Sequence, residues 1–189
     1  MKGRHLVDNV ILVQEALNSS FQRREKGMLI KLDMKNAFDR VKLPFPYDVL
    51  LSFGFCSEFV SLIKACTDSP WLAPLINGRP SELLKASRGL CQGCPMSPFL
   101  YILMVESLSR KLTSDKDSGY IPGIRIARGV DPINHALFVD DSLLLGGASM
   151  NIARAFQETL SKYCQSSGAL INKDKSVVYG WNVEPSVIL

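Results

Sequence analysis

The stretch His135–Leu145, H-A-L-F-V-D-D-S-L-L-L, constrains this chain more than any other. Two short apolar runs flank the adjacent carboxylates Asp140 and Asp141, the pattern of a β-hairpin with acids at its tip. Neighbouring negative charges between strands that bury their side chains must be solvated at the tip or matched by a cation. A divalent metal is the cation whose chemistry takes oxygen ligands. The rest of the chain either completes such a site or leaves the pair as ordinary turn residues, a common role for Asp.

Leu6, Val10, Val13, Leu17 and Phe21 recur every three or four positions and predict an amphipathic helix. Gln22–Gly27 reads as a charged turn. Met28–Leu32 reads as a strand running into Asp33, and the carboxyl end of a strand is where open α/β sheets place ligands. Val41–Tyr47 contains two prolines and is expected to break structure, with one or two helices over Val49–Cys66 interrupted near Gly54. Trp71–Ile76 predicts a strand entering a tight hairpin at Asn77-Gly78 and returning over Glu82–Ala86. Ser97 is placed to cap a helix, with Pro98 at its first position and apolar residues continuing to Leu112. Ser114–Gly119 then reads as a polar loop.

After the acidic hairpin, Ser149 is placed to cap a helix whose buried stripe is Ile152, Phe156, Leu160 and Tyr163 or Cys164. Val177–Tyr179 is the last expected strand. Apart from the region between 41 and 97, the order is strand, helix, strand, strand, helix, strand. That is the split βαβ order of a ferredoxin-like α+β fold, an antiparallel sheet with helices packed on one face. Such a sheet brings Asp33 beside the tip of the hairpin that carries Asp140.

An apolar fraction of 47% supplies one substantial core for 189 residues, so a single domain over 1–189 is expected. The net charge of +4 permits contact with nucleic acid without requiring it. No run of about 18 apolar residues occurs, so no membrane span is expected. Five cysteines without a signal peptide suit a reducing compartment. No basic targeting cluster fixes a location.

The functional reading of Asp33, Asp140 and Asp141 is ligation of two magnesium ions roughly 3.5–4 Å apart, arranged for phosphoryl transfer. Asp39 can cap, or pair with Arg40 or a distant base. Phe38 is a core aromatic unless a nucleotide pocket promotes it. Ser87–Pro98, S-R-G-L-C-Q-G-C-P-M-S-P, describes a tightly shaped loop in which Gln92 and backbone groups can meet a ligand and Arg88 a phosphate. Cys91 and Cys94 form C-x-x-C, which marks a redox pair, half a zinc site or incidental thiols. The other cysteines and His5 and His135 show no zinc spacing relative to that pair. His135 reads as structural. Lys173 and Lys175 either approach a polyphosphate as point charges or lie in a solvated loop.

Together these stretches resemble the reverse transcriptases of plant LINE-type non-LTR retrotransposons. The resemblance rests on G-R-H-L-V-D-N-V-I-L-V-Q-E, L-I-K-L-D-M-K-N-A-F-D-R-V, S-R-G-L-C-Q-G-C-P-M-S-P-F-L, H-A-L-F-V-D-D and S-G-A-L-I-N-K-D-K-S, in that order. It implies a polymerase palm and RNA-directed DNA polymerase chemistry, in which a deoxynucleotide is added to a primer 3′-hydroxyl. The implied partners are an RNA template, a DNA primer and deoxynucleoside triphosphates, with no membrane; protein partners are undefined. The implied cofactor is Mg2+, as two ions.

Residue by residue, the resemblance makes Asp33 and Asp140 the principal metal ligands and Asp141 the adjacent acid. It puts Phe38 under the incoming sugar, Gln92 at the nucleotide and template, and Lys175 toward the triphosphate. This chain departs from the usual pattern at Val139, where the family has alanine, and at Cys91-Gln92-Gly93-Cys94-Pro95, where the family has R-Q-G-D-P. The resemblance also implies that most of the fingers precede this stretch and that the thumb follows it. A palm without them is expected to be a poor polymerase, because positioning supplies much of the rate. The alternative is an inactive retrotransposon remnant that retains non-specific nucleic-acid binding.

Overall fold

The computed structural model describes residues 6–67, 71–138 and 141–183. Val139 and Asp140, expected at the tip of the acidic hairpin, lie outside them, as does His5. The elements are α1 (Leu6–Gln22), β1 (Gly27–Asp33), α2 (Pro44–Ser52), α3 (Ser57–Thr67), β2 (Trp71–Leu72), β3 (Leu75–Ile76), β4 (Arg79–Pro80), β5 (Leu84–Lys85), α4 (Ser97–Asp117), β6 (His135–Phe138), β7 (Asp141–Gly147), α5 (Met150–Ser167) and β8 (Val177–Trp181).

The main sheet has the order β6-β7-β1-β8 with every pairing antiparallel. With α4 and α5 as the two crossovers, this is the predicted split βαβ arrangement. Residue alternation along β1 divides the sheet into two faces. Met28, Ile30 and Leu32 join Leu144 against Leu108 and Leu112 of α4 and Ala155, Phe156 and Leu160 of α5. Leu29 joins Leu143, Leu145 and Trp181 against Val13 and Ala16 of α1. Thus α4 and α5 share one face, while α1 covers the Gly27 end of the other.

A separate core made by Val41, Leu43, Tyr47, Leu50, Val60, Leu90, Leu100, Tyr101 and Met104 joins α2 and α3 to the first half of α4. Here the prolines act differently from expectation. Pro44 and Pro46 start α2 rather than break it, because a first helical turn has no intrahelical use for the missing N–H groups. Pro74 does interrupt. The single strand expected over Trp71–Ile76 becomes two short pieces, β2 paired with β5 and β3 paired with β4. Asn77 (φ 49°) and Gly78 (φ 77°) make the tight turn between β3 and β4.

Three further expectations change. The N-cap of α4 is Met96, and Ser97 does not cap it: its hydroxyl donates to the Cys91 carbonyl at 2.8 Å. The polar stretch Ser114–Gly119 is helical as far as Asp117, because Asp115 is buried and accepts from the Thr159 hydroxyl at 2.8 Å. Among the described side chains of α1, Val13, Ala16 and Ser20 are buried, whereas Val10 and Phe21 are exposed. The Ser20 hydroxyl accepts from the Trp181 indole at 2.9 Å, which turns the buried stripe toward β8.

Ser149 caps α5 as predicted, accepting from the Ile152 N–H at 3.3 Å. Ser149→Ala is expected to cost about 1 kcal/mol, read as a lowered denaturant midpoint with an unchanged slope. An unchanged midpoint would show that the cap contributes nothing. Among the described residues, no helix is long and apolar enough to cross a membrane.

Candidate nucleotidyl-transfer site

Asp33 ends β1, and the register of the sheet sets it opposite Asp141, the first residue of β7. The chain beyond Asp33 is held on both sides. The Asp33 N–H donates to the Ser176 hydroxyl at 3.2 Å, and its carbonyl accepts from the Asn172 N–H at 2.9 Å. The Lys35 N–H donates to the Leu170 carbonyl at 2.8 Å, with Met34 and Ile171 bridged between. Residues 170–172 therefore run antiparallel to 33–35. A turn closed by the Lys175 and Ser176 N–H groups on the Asn172 carbonyl then leads into β8, which is why Lys175 arrives beside Asp33.

After Lys35 the chain turns at Asn36, whose φ of 50° is one that Asn tolerates better than most side chains. The Asn36 carbonyl accepts from the Asp39 and Arg40 N–H groups. This turn presents Phe38, whose ring stacks on Tyr101 of α4 with centroids 4.8 Å apart. The 87–98 loop is pinned against it: the Leu90 N–H donates to the Phe38 carbonyl at 2.9 Å and the Gly89 N–H to the Val41 carbonyl at 2.8 Å. Gly89 is required there, with φ of 93° and a position at which a Cβ would lie 3.0 Å from the Asp39 carbonyl oxygen. At the end of this loop the Gln92 side-chain amide donates to the Asp39 carboxylate at 2.8 Å.

The result is a cleft of about 400 Å3 lined by Asp33 to Asp39, Gln92, Asn172 and Lys175. Four residues singled out in the sequence, Asp33, Phe38, Gln92 and Lys175, meet in it. Asp141 stands at its place in the register opposite Asp33, and Asp140 lies outside the described residues. Arg88 is not among the lining residues. It lies in a second cleft of about 460 Å3 with Lys42, Asp48, Ser87 and Ser166.

Asp39 pairs with neither Arg40 nor another base among the described contacts; Gln92 is its partner. His135 is held by the Ser109 hydroxyl at 2.8 Å and the Asn134 side chain at 2.7 Å. Asn172 and Lys35, which sequence reading did not select, also line the first cleft, and the local signal for Asn172 was its place in N-K-D-K-S.

Carboxylates, amides and a lysine are the groups that bind a hard cation and a polyphosphate. Among the described residues no group of three His, Cys, Asp or Glu is placed to hold a metal ion, and Asp140 is not one of them. The donor chemistry nonetheless fits, since Asp33 lines the cleft and a second acidic residue, Asp141, is its register partner across the sheet.

This sheet, with its two crossover helices, has the fold of a nucleic-acid polymerase palm. Two solved structures share it: a truncated apo telomerase from Candida tropicalis (TM-score 0.68, 12% identity, covering 96% of this chain and 36% of that one) and a Candida albicans telomerase in complex with a fragment of telomeric RNA (TM-score 0.67, 17% identity, 96% and 32%). Residues 1–184 match the family described as reverse transcriptase (RNA-dependent DNA polymerase), and the chain belongs to that family. It is an RNA-directed DNA polymerase-like domain, and the family is generally metal-dependent.

Similar sequences include an uncharacterized mitochondrial protein of Arabidopsis thaliana, 46% identical over 72 residues that make up 38% of this chain and 59% of that protein. The Xenopus laevis transposon TX1 149 kDa protein is 30% identical over 92% of this chain. The Drosophila melanogaster Pol polyprotein of type-2 retrotransposable element R2DM is 27% identical over 94%. The chain spans only 13% and 16% of the lengths of those two proteins.

Proposed function

We propose that the Asp33 cleft is where this domain adds deoxynucleotides to a primer 3′-hydroxyl on an RNA template. The observation that carries the proposal is the meeting of Asp33, Phe38, Gln92 and Lys175 in one cleft, with Asp141 opposite Asp33 in the register. The residues that would hold magnesium, as two ions, are Asp33, Asp140 and Asp141. When bound, these ions lower the pKa of the attacking hydroxyl and neutralise charge on the triphosphate. Lys175, exposed at the rim, attracts the triphosphate as a point charge.

Phe38 is fixed by its stack on Tyr101, so it presents a firm floor to the incoming sugar and disfavours a 2′-hydroxyl. Gln92, anchored on Asp39, lines the nucleotide and template side. Arg88 serves a phosphate of the nucleic-acid strand from its own cleft. The domain is mainly palm, as its central sheet and its small share of the transposon relatives support. The TX1 and R2DM relatives, which align over most of the chain, favour an origin in such an element, and the Arabidopsis relative favours a plant one.

Primer extension tests the proposal. Purified chain with poly(rA)/oligo(dT), Mg2+ and dTTP is expected to extend the primer slowly, and reproducible absence of template-dependent extension counts against it. Phe38→Ala, assayed with dTTP against UTP, is expected to raise relative ribonucleotide use at least about tenfold, since the lost ring opens space that a single well-placed group had excluded. Unchanged discrimination would remove Phe38 from contact with the sugar.

A further inference from the structure

The turn that carries Gln92 is bracketed by two thiols. Cys91 is exposed, Cys94 is half-buried, and both are free. The Cys94 N–H donates to the Cys91 carbonyl at 3.3 Å, closing the four residues Cys91-Gln92-Gly93-Cys94 into a β-turn. The ends of such a turn lie within about 7 Å of each other at Cα. A disulfide spans Cα separations of about 4.4–6.8 Å, so the backbone already holds the two cysteines at bridging range. Gly93 supplies the left-handed position, with φ of 94°, and nothing lies within 4 Å of where a side chain would project from it. The turn therefore has room to adjust as a bridge forms.

We infer that Cys91 and Cys94 form a reversible disulfide, a redox-modification site in the loop that positions Gln92. The oxidant is a low-molecular-weight disulfide such as oxidised glutathione. The exposed Cys91 thiolate attacks one of its sulfurs, breaking that S–S bond and releasing one thiol equivalent. The Cys94 thiolate then attacks the Cys91 sulfur of the mixed disulfide, forming the Sγ–Sγ bond and releasing the second thiol. The two cysteines lose two electrons and two protons, and the external disulfide is reduced to two thiols.

Competition from other thiols is limited by their placement. Cys56 and Cys66 lie in the region of α3, at neither end of a shared turn, and burial pushes the Cys164 thiol up, lowering its thiolate fraction. Closing the ring restrains the turn around Gln92, whose amide reaches Asp39 at 2.8 Å across the wall of the first cleft. Oxidation therefore changes that contact. Its consequence for polymerisation rests on the proposed nucleotide site; the disulfide itself does not.

The test equilibrates the full chain, carrying Cys56→Ser, Cys66→Ser and Cys164→Ser, in mixtures of reduced and oxidised glutathione. Bridged peptides are counted by alkylation and mass mapping, and the Gln92 side-chain amide is followed by 15N NMR. The expected result is a Cys91–Cys94 bridge as the main intramolecular product, reversed by dithiothreitol. A shift of the Gln92 amide should accompany it and be absent in Cys94→Ser. Peptide mapping of the unsubstituted chain gives the same reading if the triple variant folds poorly. Thiols that stay alkylatable, or that yield only mixed or intermolecular disulfides, overturn the inference. A bridge with an unmoved Gln92 amide overturns its link to the loop. A bridge that forms, moves Gln92 and leaves primer extension unaltered counts against the nucleotide site instead.

Discussion

Asp33→Asn is expected to lower template-dependent primer extension by about 1,000-fold or more, while the melting temperature stays within a few degrees of the unsubstituted chain. The rate effect follows from charge. Asparagine keeps the size and one oxygen of aspartate but loses the negative charge that a divalent-cation site in phosphoryl transfer requires, and such a site supplies several kcal/mol, at about 1.4 kcal/mol per tenfold. The small stability effect follows from how Asp33 is held. Its links to Ser176 and Asn172 are made by its backbone N–H and carbonyl, which the substitution leaves alone. Its place opposite Asp141 comes from the ladder between β1 and β7 rather than from its side chain. A variant that folds and extends at more than a tenth of the original rate would take Asp33 out of the chemistry.

The sequence revealed the palm because its signals are local. Alternation in Met28–Leu32, the two apolar runs around the acids and the helical stripe of Ile152, Phe156 and Leu160 each declare an element within a dozen residues. Their order then leaves few antiparallel sheets to consider. Asp33 could be matched to the hairpin because it ends the first strand, and that position is topological.

Local pattern says less where a side chain is committed to something distant in sequence. Ser97 has a capping residue's chemistry but gives its hydroxyl to the Cys91 carbonyl. Asp115 looks like loop until Thr159 of α5 buries it as helix. Arg88 sits in the loop that reaches the first cleft, yet the pinning of Gly89 and Leu90 onto Val41 and Phe38 turns the preceding residues toward another cleft. The contact between Gln92 and Asp39 joins positions 53 apart, and no spacing rule announces it.

Gly168→Ala is expected to destabilise the domain by about 3 kcal/mol, from a left-handed backbone and a steric conflict together. Gly168 ends α5 with φ of 82°, its N–H on the Cys164 carbonyl at 2.9 Å. An added Cβ would lie 2.4 Å from the Arg40 carbonyl oxygen, and backbone there has little freedom to retreat. The Lys42 N–H donates to the Ser167 carbonyl at 2.8 Å and the Lys42 ammonium to the Gln165 carbonyl at 2.6 Å, fastening the end of α5 to residues 40–42. At roughly 2–4 °C per kcal/mol for a chain of this size, melting should fall by about 6–12 °C. Gly93→Ala separates the two causes. Gly93 has a similar φ of 94° but open space around it, so it should lose only the backbone contribution of about 1–2 kcal/mol. Equal losses at the two sites would mean that the Arg40 segment yields. Because the same segment leads back to Asp39 and holds Gly89 through the Val41 carbonyl, such yielding would also loosen the Gln92 loop. The close approach of Gly168 to Arg40 thus ties the stability of α5 to the shape of the cleft, and the two variants measure how tightly.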